Sequence, residues 1–101
     1  PIPWEEREEV LGNINLVVNT TALGMDGQPE LEMNLTGTHE DAVVCDIVYA
    51  PLYTQLLKDA RAHDLRIVTG IGMLLHQARP AFDAWFDVWP DLSEDLEDLV
   101  L

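Results

Sequence analysis

"AVVCDIVYAPLYTQLLKDARAHDLRIVTG", residues 42–70, holds two apolar runs separated by a helical stretch. The first run, "AVVCDIVY", shows no polar alternation and reads as a strand covered on both faces. Pro51 then opens "PLYTQLLKDARAHD", in which Leu52, Leu56, Leu57 and Ala60 form a stripe at helical spacing. "LRIVTG" reads as the next strand. Strand, helix, strand with short connections is the pattern of a parallel sheet with right-handed crossovers. Upstream, "INLVVN" at 14–19 is another continuous apolar run, so three parallel strands are expected.

The flanks are read in the same way. "PWEEREEVLG" predicts a short helix, with Pro3 at its entry, acids in its first turn and Gly12 past its end. "TTALGMDGQPE" is a polar loop, and "LEMNL" is expected to hold a helical turn. "MLLHQARPAFDAWFDVW" is the longest helical stretch, which Pro80 should kink or divide. "DLSEDLEDLVL" predicts a closing acidic helix with Asp91 or Ser93 as its cap.

The length of 101 residues fits one small domain, and 48% hydrophobic residues suffice for a core. Three parallel strands leave an apolar edge open, which another part of the same protein or a second copy is expected to cover. The opening "PIPWEE" reads as the interior of something longer.

Nineteen acids against five basic residues give a net charge of −14, which argues against nucleic-acid binding. The acids concentrate in "WEEREE" and "DLSEDLEDL", both read as solvated helix faces. No stretch is apolar and long enough to cross a bilayer, no signal-peptide pattern opens the chain, and no membrane partner is expected. The single Cys45 reads as a small core residue and fits a reducing, cytoplasmic setting. His39, His63 and His76 are scattered, with no zinc-like spacing, so no metal is expected. Lys58, the only lysine, falls on the predicted exposed helix face and is a poor general base.

Ligands of open parallel sheets gather outside the carboxyl ends of the strands. Three loops leave such ends here: "NTTALGM", "DIVYAP" and "TGIGM". Asn19, Thr20 and Thr21 offer donors to a ligand or cap their own loop, and the sequence leaves both open. Tyr49 can pack by its ring and bond by its hydroxyl. Asp46 is read as tying down backbone rather than as a base. Gly70-x-Gly72 lacks the third glycine of a dinucleotide fingerprint, since Leu75 stands there, so this is not the pyrophosphate loop. Beyond this hinge Met73 and Gln77 share a helix face, one suited to a flat ring and the other to hydroxyls.

In this order and register, "VVNTTALGM", "DIVYAPLYTQLLKDA" and "GIGMLLHQARPAFDAW" resemble the carboxyl-terminal part of shikimate dehydrogenase, from Ile14 to about Trp85. The resemblance implies an α/β chain: half of a Rossmann-like parallel sheet of three strands with flanking helices. Residues 1–101 would be the carboxyl-terminal portion of a dinucleotide-binding domain, ending in helices that pack toward an amino-terminal substrate domain. That family reduces 3-dehydroshikimate to shikimate with NADPH in aromatic amino-acid biosynthesis. By resemblance, Tyr49 and Gln77 would contact shikimate. Ile47 and Gly70 would line the nicotinamide side, with Met73 against the ring and Asn19 and Thr20 near the bound NADP. The catalytic Lys–Asp pair would lie outside this chain, which alone should be inactive.

The pattern departs from the family at Thr69, where Asp is usual, at Ala50, where Asn is usual, and at His63-Asp64, which replaces a helix-ending glycine. Pro80 is also unusual for the family helix. Two alternatives stand beside this reading: a self-associating, non-catalytic half-domain, and a related dehydrogenase acting on quinate or another cyclic polyol.

Overall fold

The computed structural model describes all 101 residues. Three strands, β1 (Leu16–Asn19), β2 (Val43–Asp46) and β3 (Arg66–Val68), form one sheet in that order, and both pairings are parallel. Helix α1 (Gln55–Ala62) joins β2 to β3, α2 (Ile71–Phe86) follows β3, and α3 (Glu94–Val100) closes the chain. The expected three-stranded parallel sheet with flanking helices is what forms.

The register explains where the core lies. Val17, Val44 and Ile67 stand in one row across the sheet. This row faces the α1 stripe of Leu56, Leu57 and Ala60, and Leu11, Leu31, Leu35 and Leu65 close the cluster. Each fully buried valine or leucine among them contributes about 1.5–3 kcal/mol by leaving water. The neighbouring rows, Leu16–Val43–Arg66 and Val18–Cys45–Val68, point the other way. There Leu16 is 56% exposed, Val18 44% and Val68 51%. The apolar runs that read as covered on both faces are therefore covered on one, because α2 pairs with α3 instead of lying on the sheet. The result is elongated, 47 × 25 × 25 Å with a radius of gyration of 15.8 Å. A self-contained domain of this length has a radius of about 13 Å.

Local expectations fail where side chains claim backbone groups. No helix spans 3–12; two 3-10 turns form instead, at Trp4–Glu6 and Leu11–Asn13. "WEEREE" is not merely a solvated face, since Arg7 donates to the Glu32 carbonyl at 2.7 Å and lies 4.5 Å over the Trp4 ring. Glu8 accepts the Asn34 amide at 2.6 Å. With Glu32 and Asn34 bonded to side chains, "LEMNL" forms no helical turn, and Leu31 and Leu35 enter the core.

Helix α1 begins at Gln55 rather than Pro51, because the Thr54 hydroxyl accepts the Leu57 amide at 3.4 Å and so caps the helix there. It ends in a Schellman turn in which Asp64 takes a left-handed φ of 58°. The Leu65 amide donates to the Ala60 carbonyl and the Asp64 amide to the Arg61 carbonyl, both at 3.0 Å. Helix α2 starts at Ile71 and runs unbroken through Pro80. Pro80 deprives the His76 carbonyl of its helical donor, but His76 is exposed and water can replace it. Of the two expected caps of α3, Ser93 occupies the N-cap position, without a side-chain bond.

Candidate functional site

The carboxyl ends of the strands lie side by side, Asn19 paired with Asp46 and Cys45 with Val68. The loops leaving them therefore share one edge. What joins the first two loops is a buried polar network. Asn19, Asp46 and Thr54 are only 4%, 2% and 1% exposed. The Asn19 side-chain Oδ1 accepts from the Thr21 amide (3.0 Å) and hydroxyl (2.7 Å). Its Nδ2 donates to the Leu23 carbonyl (3.0 Å) and to Asp46 Oδ1 (3.1 Å). Asp46 Oδ1 also accepts the Val48 amide (3.0 Å), while Oδ2 accepts the Thr54 hydroxyl (2.7 Å). Of the two roles open to Asn19, loop capping is the one its side chain performs. Asp46 ties down backbone, as its position at a strand end suggested. Burying these groups without partners would cost about 1–3 kcal/mol each.

Main-chain bonds reinforce the junction: the Ile47 amide donates to the Asn19 carbonyl at 3.2 Å, and the Asp26 amide to the Ala50 carbonyl at 2.9 Å. Gly24 makes this return possible, with φ of 90° and its α-carbon turned toward Thr54. The third loop closes on the second at Gly70. A Cβ there would fall 2.8 Å from the Val48 carbonyl oxygen and closer still to the Ile47 carbonyl, so only glycine permits this approach.

Between the first two loops opens a cavity of about 290 Å³, lined by Thr21, Met25, Ile47, Val48, Tyr49 and Ala50. Only Thr21 and Tyr49 bring polar side chains to it, so it can seat a flat apolar group with hydroxyl partners at its border. It contains no nucleophile and no general base. Thr21 also lines a narrower cleft of about 130 Å³, shared with Asn19, Thr20, Val18 and Trp4. On its other side Tyr49 borders a third hollow of about 300 Å³ beside Val100 and Leu101.

The structure thus brings Ile47 and Tyr49 into one cavity, sets Gly70 against the Ile47 and Val48 carbonyls, and gathers Asn19 and Thr20 in the adjoining cleft. Met73 and Gln77 are exposed on the first two turns of α2 and line none of these hollows. Met25 and Val48 went unrecognised in the sequence as cavity-lining residues. The turn at Gly24, which carries Met25 back over the second strand's end, was the available signal. Cys45 lies on the open sheet face, and burial raises its pKa above the usual thiol value, so it is no activated nucleophile. No three His, Cys, Asp or Glu side chains converge, and no helix is long and apolar enough to cross a membrane.

No family model matches the chain. Individual proteins do. Shikimate dehydrogenase (NADP(+)) from Rhodospirillum rubrum is 52% identical over 106 residues, covering all of this chain and 38% of its own length. The Azorhizobium caulinodans protein of the same name is 50% identical, again across the whole chain and 36% of its own. Among solved structures, quinate dehydrogenase from Corynebacterium glutamicum in complex with NAD superposes with a TM-score of 0.83 at 35% identity. That match covers 96% of this chain and 35% of the other. Shikimate 5-dehydrogenase from Thermus thermophilus, in complex with NADP(H) and shikimate, gives 0.71 at 32% identity over 89% of this chain and 33% of its own. By sequence and by its Rossmann-like fold, the chain is a relative of the shikimate dehydrogenases and spans little more than a third of the length of those it matches.

Proposed function

We propose that this chain is the carboxyl-terminal portion of the dinucleotide-binding domain of an NADP-dependent shikimate dehydrogenase, which as a whole interconverts 3-dehydroshikimate and shikimate. The observation that carries this reading is the apolar cavity between Thr21, Met25, Ile47 and Tyr49 at the carboxyl edge of a parallel sheet. Its lining suits a nicotinamide, and the close backbone approach at Gly70 sets the third loop against the second beside it. When bound, NADPH supplies the hydride. The part of this chain is to seat and orient. Ile47 and Gly70 line the ring side and Met73 packs against it, while Tyr49 and Gln77 bond to substrate hydroxyls. Thr20 borders the dinucleotide, and Asn19 acts through the loop it shapes. Such positioning contributes through orientation rather than chemistry.

Proton transfer would fall to a Lys–Asp pair outside this chain, whose only lysine, Lys58, is exposed on α1. The remainder of the protein would cover the sheet face of Leu16, Val18 and Val68. Its substrate domain would meet the exposed Phe82, Trp85 and Phe86 of α2. The whole protein would work in the cytoplasm, away from membranes and nucleic acid.

The test is oxidation of shikimate with NADP by the full-length protein. NADPH formation is expected, and Tyr49→Phe with Gln77→Ala together should lower kcat/KM for shikimate about a hundredfold. No NADPH, or undiminished turnover in the double variant, rejects the reading.

Two other readings have their own observations. The superposition on a quinate dehydrogenase in complex with NAD gives the second reading, quinate as substrate with NAD. Comparing kcat/KM for quinate with NAD against shikimate with NADP decides between them. The open apolar sheet face favours a self-associating half-domain. Sedimentation of the 101-residue chain at micromolar concentration tests this: a stable dimer supports it and a folded monomer counts against it.

A further inference from the structure

We propose that Asp46 is the positioning residue of this rim: one buried carboxylate sets the spacing of the first and second loops, and with it the shape of the cavity where Thr21, Ile47 and Tyr49 meet. The proposal rests on the functional reading above for its kinetic consequences, but not for its structural ones.

Asp46 stands one residue before Ile47 and three before Tyr49, yet it is turned inward, 2% exposed, and lines none of the cavities. It cannot touch a ligand seated there. Its two oxygens instead join three segments. Oδ1 bridges Asn19 of the first loop to the Val48 amide of the second, and Oδ2 holds Thr54, the cap of α1. Asn19 in turn holds Thr21 through both its amide and its hydroxyl. An unbroken series of bonds of 2.7–3.1 Å therefore runs from the start of α1, through one carboxylate, to the cavity wall at Thr21.

Without an acceptor at position 46, the Asn19 amide, the Val48 amide and the Thr54 hydroxyl all lose a partner in a buried place, where water does not replace it. The two loops would then be joined by the main-chain bonds Ile47–Asn19 and Asp26–Ala50. Asp46→Asn is the graded case. Its oxygen can still serve Asn19 and Val48, but its NH₂ faces a Thr54 hydroxyl that must turn its own hydrogen elsewhere. It should weaken the helix end of the series most and, because a neutral amide oxygen accepts less strongly than a carboxylate, loosen the loop bridge in part.

The experiment uses the full-length protein with Asp46→Ala and Asp46→Asn. Hydrogen exchange at the Thr21 and Leu23 amides should quicken about tenfold or more in Asp46→Ala, while core amides such as Val44 and Ala60 keep their protection. Turnover of shikimate with NADP should fall about ten- to a hundredfold, with the affinity for adenosine 2′,5′-bisphosphate, which lacks the nicotinamide, unchanged. Asp46→Asn should lie between wild type and Asp46→Ala on both readouts. If Asp46→Ala does not fold, the same two readouts on Asp46→Asn decide. Unchanged exchange in the first loop overturns the proposal. So does a parallel loss of adenosine 2′,5′-bisphosphate binding, which would mark a general loss of structure. If the wild-type protein does not turn over shikimate, the functional reading fails, and the exchange measurement alone still decides the role of Asp46.

Discussion

On one face of the sheet Val17, Val44 and Ile67 meet the apolar stripe of α1. On the other, Leu16, Val18 and Val68 meet no element of this chain. The two faces belong to the same strands and carry the same kinds of residue. Their different burial teaches that an unbroken apolar run states a need for cover, not its source. The same contrast runs along the chain. Beyond Gly70 only Ile71 and Leu75 are buried, whereas Phe82, Trp85, Phe86 and Trp89 stand open on the protruding α2 and the segment after it. The loops that build the cavity are all anchored in the covered part. Met73 and Gln77 sit on the uncovered part and line none of those hollows, so the role proposed for them depends on how α2 is held.

Substitutions separate the two faces. On the covered face, Leu57→Ala should lower the stability of the full-length protein by about 2–5 kcal/mol, read from the urea midpoint. A smaller loss would mean that α1 collapses onto the vacated space. Gly70→Ala places a methyl against the Ile47 and Val48 carbonyls and should cost about 1–3 kcal/mol. Turnover should fall with it, because the third loop must lift from the second. An Ala variant with wild-type stability and turnover would show that this approach is not needed.

The open face gives the most telling measurement. If the remainder of the full-length protein covers it, Val18→Ala should cost about 1–2 kcal/mol there, as for a buried valine. A change within about 0.5 kcal/mol would mean that Val18 stays on a free surface. The smallest effect runs the other way. Asp64→Gly relieves the left-handed backbone at the end of α1 and should raise stability by about 0.5–1 kcal/mol. A loss would mean that the Asp64 side chain has a role of its own.

Much of this was legible because the relevant signals are local. The alternation of apolar run and helical stripe from Ala42 to Gly70 specified strand, helix and strand, and the glycines at 24 and 70 marked a turn and a hinge. What was not legible depended on partners distant in sequence. "LEMNL" looked helical until Arg7 and Glu8 claimed its backbone groups. Asn19 looked like a candidate ligand donor until Asp46, 27 residues away, took its amide.

By itself, then, the sequence determined the parallel strands, the helix between them and the three loops at their carboxyl ends, because periodicity and backbone restriction act over a few residues. Only the tertiary structure decided which rows of the sheet are covered, which polar groups are consumed in the Asn19–Asp46–Thr54 network, and which side chains share a cavity. Burial and hydrogen-bond partnership are properties of segments brought together in space, and no local pattern along the chain records them.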